Sequence, residues 1–207
     1  NGGRTPAKVF LDCGLFESPT NLAHCVWAED GDIRILAENG VTATHNPSSN
    51  MKLGSGFAPV RKMLDAGVSV ALGTDGAASN NNLNMFEEMH MAAMIARGGS
   101  GHADEISSAE ILKMATVAGA KSQGRADTGL IKIGNKADLA VIDLDRPHLV
   151  PSYNKLDSLI FSAQGSDVVL TMVDGDVLYR DGKYKTIDFP KVCDKISLCL
   201  PKILSQI

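Results

Sequence analysis

His24, His45 and Asp75 each follow a short run of small and apolar residues, the first after Asn21-Leu22-Ala23 and the last after Ala71-Leu72-Gly73-Thr74. If those runs are strands of one parallel sheet, the polar residues stand at strand ends, where parallel α/β folds place their chemistry. Imidazole, imidazole and carboxylate converging on one mouth is the arrangement that a metal-activated water requires. The same residues would serve equally well as strand caps held by hydrogen bonds, and spacing alone leaves both readings open. Two glycine-rich stretches, Lys52-Leu53-Gly54-Ser55-Gly56 and Gly73-Thr74-Asp75-Gly76, could offer backbone amides to an anion. Neither carries the P-loop pattern, so both read as tight turns between strand and helix.

The elements that must position these residues follow from periodicity. Runs at 21–26, 40–45 and 68–74 are rich in small and β-branched residues and read as buried parallel strands. Helical patterns at 30–39 and 59–66 lie between them, closed by Gly40 and Gly67, which gives the order β-α-β-α-β. A helix is expected over 83–97, its methionines acting as core filler, before a flexible stretch at 98–101; another is expected over 108–119 with Ser108 as its cap. From about 128 the texture turns β-like, with strands at 137–143, 168–173 and 176–179 and Asp-Gly turn signals at 174 and 181. A short docked helix interrupted by Pro201 should close the chain. The domain expectation is 1–127 as the α/β part, 128–188 as a small β module and 189–207 as a C-terminal helix and tail.

Composition excludes several classes. A chain of 207 residues that is 44% hydrophobic can bury a sizeable core. A net charge of −4, from 20 basic and 24 acidic residues without long runs, offers no footprint for nucleic acid or an acidic membrane. No apolar stretch approaches the roughly 20 residues that span a bilayer, and residues 1–8 lack the apolar core of a signal peptide, so a cytoplasmic protein is expected. The four cysteines are too scattered for a disulfide framework and are expected as reduced, mostly buried thiols.

The wording of the strand ends is more specific. Ala23-His24-Cys25-Val26-Trp27, Thr44-His45-Asn46-Pro47-Ser48-Ser49-Asn50-Met51-Lys52-Leu53 and Leu72-Gly73-Thr74-Asp75-Gly76-Ala77-Ala78-Ser79-Asn80-Asn81 resemble the last three strand ends of the metal-dependent amidohydrolase superfamily. The resemblance continues through Ile133-Gly134-Asn135-Lys136-Ala137-Asp138-Leu139 and Ser162-Ala163-Gln164-Gly165-Ser166-Asp167-Val168 to Val173-Asp174-Gly175, covering roughly 4–188. The nearest branch is that of the 5-methylthioadenosine/S-adenosylhomocysteine deaminases, beside guanine deaminases and triazine chlorohydrolases.

The resemblance implies an α/β fold: the C-terminal part of a (β/α)8 TIM-like barrel plus the C-terminal part of a small β-sandwich. It implies one divalent metal, zinc first with iron or manganese as alternatives, and a small-molecule substrate. His24 matches the histidine beside the metal; Asp75 matches the last-strand aspartate that binds the metal and takes a proton from water; Ser79 matches a position lining the substrate pocket. His45 is expected nearby as a support, not as a ligand. Members of the family commonly oligomerise, which makes a homo-oligomer an expectation.

The family's first-strand His-x-His is found nowhere in the sequence, and the one His-x-x-Glu string, His102 to Glu105, matches no catalytic position of the family. A partial barrel would expose sheet edges and an apolar interior, so the chain is expected to need a missing N-terminal segment to complete it. An incomplete reading of a longer gene, one half of a split gene and a decayed remnant are the three explanations. The resulting function readings are hydrolytic deamination of an adenine-type nucleoside with release of ammonia, a guanine deaminase or triazine chlorohydrolase activity, and a non-catalytic partner chain.

Overall fold

The computed structural model describes residues 2–205 and divides them into two units: Lys136–Leu144 with Ser166–Ile207 forms one, and the remainder of the chain the other. Both parallel and antiparallel sheets are present, so the chain is mixed α/β.

In the larger unit, α1 (Pro6–Asp12) leads into β1 (Asn21–Ala23), α2 (Asp30–Glu38), β2 (Thr42–His45), α3 (Pro47–Lys52), α4 (Val60–Asp65) and β3 (Ser69–Leu72). The strands are parallel in the order β1-β2-β3, with Ala23 opposite Thr44 and Thr44 opposite Ala71. Each strand is shorter than the apolar run that announces it. His24 lies one residue beyond its strand, whereas His45 is the last residue of β2.

Local chemistry sets the helices. Glu29 and Asp32 form a reciprocal capping box at α2, which turns Ile33 and Leu36 into the core. The long helix α6 (Met85–Ser100) is capped by the Asn84 side chain, which accepts from Phe86 N at 3.1 Å, and buries Met89, Ala92 and Ala93. It begins later and ends later than its apolar pattern: Leu83 is exposed, and Gly98 and Gly99 are helical instead of flexible. The helix stops at Gly101, whose φ of 75° a side chain would resist. The cap of α7 (Ser108–Lys113) is Ser107 and not Ser108, because Ser107 and Glu110 make a reciprocal box. The Ser107 backbone N–H, the Arg61 guanidinium and the Ser107 hydroxyl hold the Glu110 carboxyl down at about 2. Helix α7 continues through a π-helical segment, Met114–Ala118, into α8 (Gly119–Ser122). A short helix, α5 (Ala77–Asn80), follows β3 directly.

The core behind the parallel sheet contains Leu36, Met63, Val70, Ile106, Ile111 and Met114, each 2% exposed or less. Full burial of side chains this size stabilises by about 1.5–3 kcal/mol each. The segment Asp145–Gly165 groups with this unit. It carries α9 (Lys155–Phe161), whose Ile160 is buried in the same core, so the β-like stretch expected over 128–188 is not one continuous body.

The smaller unit is an antiparallel sheet, β4-β5-β6-β7, built from Leu139–Ile142, Val168–Val173, Asp176–Arg180 and Lys183–Tyr184. Both Asp-Gly turns form as read: Asp174 and Gly175 have φ of 50° and 85°, and Asp181 and Gly182 have 48° and 82°. Two consecutive positive φ values suit the twist of a tight hairpin. The last helix, α10 (Phe189–Leu204), starts from an Asp188 cap and runs through Pro201 without stopping. None of its residues is buried, so it is not the docked helix expected. The cysteines also depart from expectation: Cys13, Cys193 and Cys199 are exposed and only Cys25 is partly covered. Among the described residues no helix is long and apolar enough to cross a membrane.

Candidate active site

His24 and Asp75 come together. His24 follows β1, Asp75 follows β3, and their Nε2 and Oδ2 atoms face each other at 3.8 Å. Both sit on left-handed backbone, at φ of 68° and 60°, and Cys25 does the same at 48°. Such conformations cost a non-glycine residue roughly 1–3 kcal/mol and persist only where surrounding contacts enforce them.

Those contacts come mainly from the connection after β2. The His24 N–H donates to Thr44 O at 2.8 Å and approaches Asn46 Oδ1 at 3.4 Å. The His24 ring places Nδ1 2.8 Å from Asn50 Oδ1. A side-chain carbonyl only accepts, so this contact puts the ring proton on Nδ1 and leaves the Nε2 lone pair aimed towards Asp75. Asp75 is gripped from the same helix by the Ser49 hydroxyl, which donates to Oδ2 at 2.7 Å, and from its own chain by Gly76 N–H, which donates to Oδ1 at 2.8 Å. Those two bonds hold the Asp75 carboxyl below the usual carboxylate range, with smaller help from His24 and the Ser79 hydroxyl against a modest burial cost. Asp75 is therefore ionised at neutral pH, and its side chain is 30% exposed.

Helix α3 thus holds both functional groups, with adjacent residues each serving one of them. Lys52, at the end of α3, ties it to α5 by donating to Ala78 O at 3.0 Å and to Asn81 Oδ1 at the end of that helix. Gly73 permits the close approach beneath the site, because a Cβ there would lie 2.8 Å from Thr44 Cγ2 and 2.9 Å from Asn46 Nδ2.

His45 stays apart. Strand alternation puts Thr42 and Thr44 on one face, with Thr44 Oγ1 donating to Asn21 Oδ1 at 2.7 Å, and sends Ala43 and His45 to the other. His45 lines a cavity of about 280 Å³ with Phe57, Val60, Ala92, Ile95 and Ile106. Its Nδ1 is buried without a partner among the described residues. Burial, with a smaller push from His24, lowers its pKa to about 4, so the ring is neutral at pH 7. Cys25, just after His24, is equally unreactive: burial and the charge of Asp32 push its thiol up to about 11.

The residues missed by sequence reasoning are Ser49, Asn50 and Asn46, which it used only as markers of resemblance. A run of small polar residues placed directly at a strand end, in a connection that must be buried, is the signal that could have found them.

An imidazole lone pair and a carboxylate oxygen facing each other beyond hydrogen-bond distance suit a shared cation or a water between them, and nitrogen and oxygen donors fit zinc, iron or manganese. Among the described residues there is no group of three His, Cys, Asp or Glu side chains able to hold a metal, so Asp75 would be one ligand of a set completed by other donors.

Known proteins share this chain's sequence and fold. The model of the amidohydrolase family matches residues 4–178. The chain is 44% identical over 205 residues to the 5'-deoxyadenosine deaminase of Methanosarcina mazei, covering 99% of this chain and 47% of that protein. It is 49% identical over 191 residues to the 5-methylthioadenosine/S-adenosylhomocysteine deaminase of Caldanaerobacter subterraneus subsp. tengcongensis, covering 92% of this chain and 44% of the relative. The chain thus spans about half the length of the curated relatives it matches. Among solved structures, the adenosine deaminase of Xanthomonas campestris with bound zinc superposes with a TM-score of 0.93 at 31% identity, over 98% of this chain and 46% of that one. The zinc complex of atrazine chlorohydrolase from Arthrobacter aurescens TC1 gives 0.88 at 30% identity, over 95% and 44%.

Proposed function

Because the chain belongs to the amidohydrolase family, we propose that it is the C-terminal part of an aminohydrolase that replaces the 6-amino group of an adenine-type nucleoside with water and releases ammonia. The observation that carries this reading is the His24–Asp75 pair, set 3.8 Å apart after β1 and β3 and oriented from one helix. In this proposal the parallel strands are the last three of a (β/α)8 barrel and the antiparallel sheet is part of a small β-sandwich. The open edges of β1 and β3 would then pair with the rest of that barrel.

A divalent metal, with zinc preferred, would supply Lewis acidity that lowers the pKa of water and makes it a nucleophile at neutral pH. Asp75 would hold it. The chain's own residues do the proton work. The Asp75 carboxylate accepts the one proton that the attacking water loses, and the Ser49 and Gly76 donors keep it a weak base that passes the proton on. That proton is delivered towards the departing amine, so water adds at the ring carbon as ammonia leaves. His24 directs its Nε2 lone pair at the same space and orients the water against the ring. Ser79, on α5 just after Asp75, faces the substrate.

Identity of 49% to a 5-methylthioadenosine/S-adenosylhomocysteine deaminase, against 30% to the chlorohydrolase, supports the deaminase reading over a triazine chlorohydrolase activity. Ammonia release from 5-methylthioadenosine and 5'-deoxyadenosine by the complete protein is the test. Turnover of guanine or a chlorotriazine alone would overturn the substrate assignment, and absence of turnover with every substrate would favour a non-catalytic partner chain.

A further inference from the structure

Glu88 is 1% exposed, yet among the described residues no basic side chain pairs with it. It lies in the first turns of α6, among Met85, Phe86 and Met89, where packing alone would favour an apolar residue. Its two carboxylate oxygens are engaged on opposite sides. Oε2 accepts from Ser48 N–H at 3.2 Å, at the start of α3. Oε1 accepts from Asn80 Nδ2 at 2.7 Å, and the same amide donates to Thr74 O at 2.7 Å.

The neighbours of those partners are the site. Ser48 immediately precedes Ser49 and Asn50, which hold Asp75 and His24. Thr74 immediately precedes Asp75. We propose that Glu88 is a positioning residue: a buried carboxylate that fastens α3 to the loop carrying Asp75 and so fixes the spacing of Asp75 and His24. An apolar residue would leave the Ser48 N–H and part of the Asn80 amide unsatisfied in the interior, and the two segments would separate. A carboxyl group suits the task because each of its two oxygens accepts here, so one side chain satisfies donors from two segments at once. The inference rests on the His24–Asp75 pair being the working site.

The test is native-state amide hydrogen exchange on Glu88→Gln, which keeps the shape and turns one acceptor into a donor. Exchange in 47–53 and 74–81 should accelerate roughly 10–100-fold, while Ala43, Val70 and Ala71 in the strands stay within about threefold. Adding Asn80→Asp restores the link with its polarity reversed but removes the donor to Thr74 O. Ser48 should then regain protection while 74–79 remains fast. Uniform acceleration across the strands and both segments would show that Glu88 only supports overall stability, and no acceleration anywhere would show that it holds nothing; either result overturns the proposal. Should Glu88→Gln fail to fold, Glu88→Asp retains both acceptors on a shorter arm and should show the same local pattern, with the same results overturning it. In the complete protein, Glu88→Gln should lower kcat about 10–100-fold with KM within threefold. Absence of ammonia release by the unsubstituted protein would count against the deaminase reading alone, leaving the exchange pattern to decide the role of Glu88.

Discussion

Ser49, Asn50 and Glu88 are as deeply buried as Leu36, Met63 and Ile111, at 1% exposure or less, but the two groups follow opposite chemistry. Behind the parallel sheet burial is apolar and the backbone is regular. At the strand ends the buried groups are polar, His24, Cys25 and Asp75 adopt left-handed backbone, and His45 Nδ1, Ser48 Oγ and Asn50 Nδ2 have no partner among the described residues. Removing polar groups from water without full compensation costs about 1–3 kcal/mol each. The difference teaches where stability has been traded for placement: the apolar layer holds the unit together, and the polar rim spends part of that stability on orienting two side chains.

The comparison breaks most readily at Asp75. Asp75→Asn should reduce ammonia release by about 10²–10⁴-fold while the melting temperature stays nearly unchanged, because the side chain is partly exposed and buries little. A large loss of thermal stability would place Asp75 in the structural layer instead. Ile111→Ala should behave in the opposite way. Deleting most of a fully buried side chain should cost about 2–5 kcal/mol in urea denaturation, with turnover per folded molecule preserved.

His45 lies between the two regimes, and pH separates it from both. Its folded-state pKa is lowered from 6.5 to about 4, so the unfolded chain binds its proton first as pH falls. The stability due to this group is therefore complete above pH 6.5 and is lost progressively as pH falls through about 4. The loss amounts to about 3 kcal/mol. Urea midpoints between pH 6.5 and 5 should fall in the native protein and lose much of that slope in His45→Phe; an unchanged slope would show that the ring is not held neutral.

Asn50→Ala and Ser49→Ala should each lower turnover by about 10–100-fold, since each removes the partner of a functional side chain. Smallest of all, Lys62→Ala breaks an exposed pair with Asp30 and should change stability by less than about 1 kcal/mol, which equilibrium denaturation would show.

Much of the apolar layer was legible in the sequence. Short β-branched runs separated by helical patterns gave the parallel strands, and Gly40 and Gly67 marked the helix ends, because hydrophobic periodicity reports burial directly. The Asp-Gly turns of the smaller sheet were legible for a related reason: few residue pairs tolerate two positive φ values. His24 and Asp75 were readable as candidates, and the resemblance implied that they meet; spacing alone left that open, since it depends on left-handed backbone one or more residues beyond the strands. Asn50 and Glu88 left no periodic trace, because their roles are set by partners 26 and 40 residues away in the chain. The cysteines and α10 went astray for a simpler reason, in that apolar character was taken as burial where the fold supplies no covering surface.

The central claim is that His24 and Asp75 act as one unit, and a double-mutant cycle on ammonia release by the complete protein measures that most directly. His24→Asn and Asp75→Asn should each be severe, and the double substitution should be little worse than the more severe single one. Multiplication of the two single effects in the double variant would mean that the groups work independently, and would contradict the account.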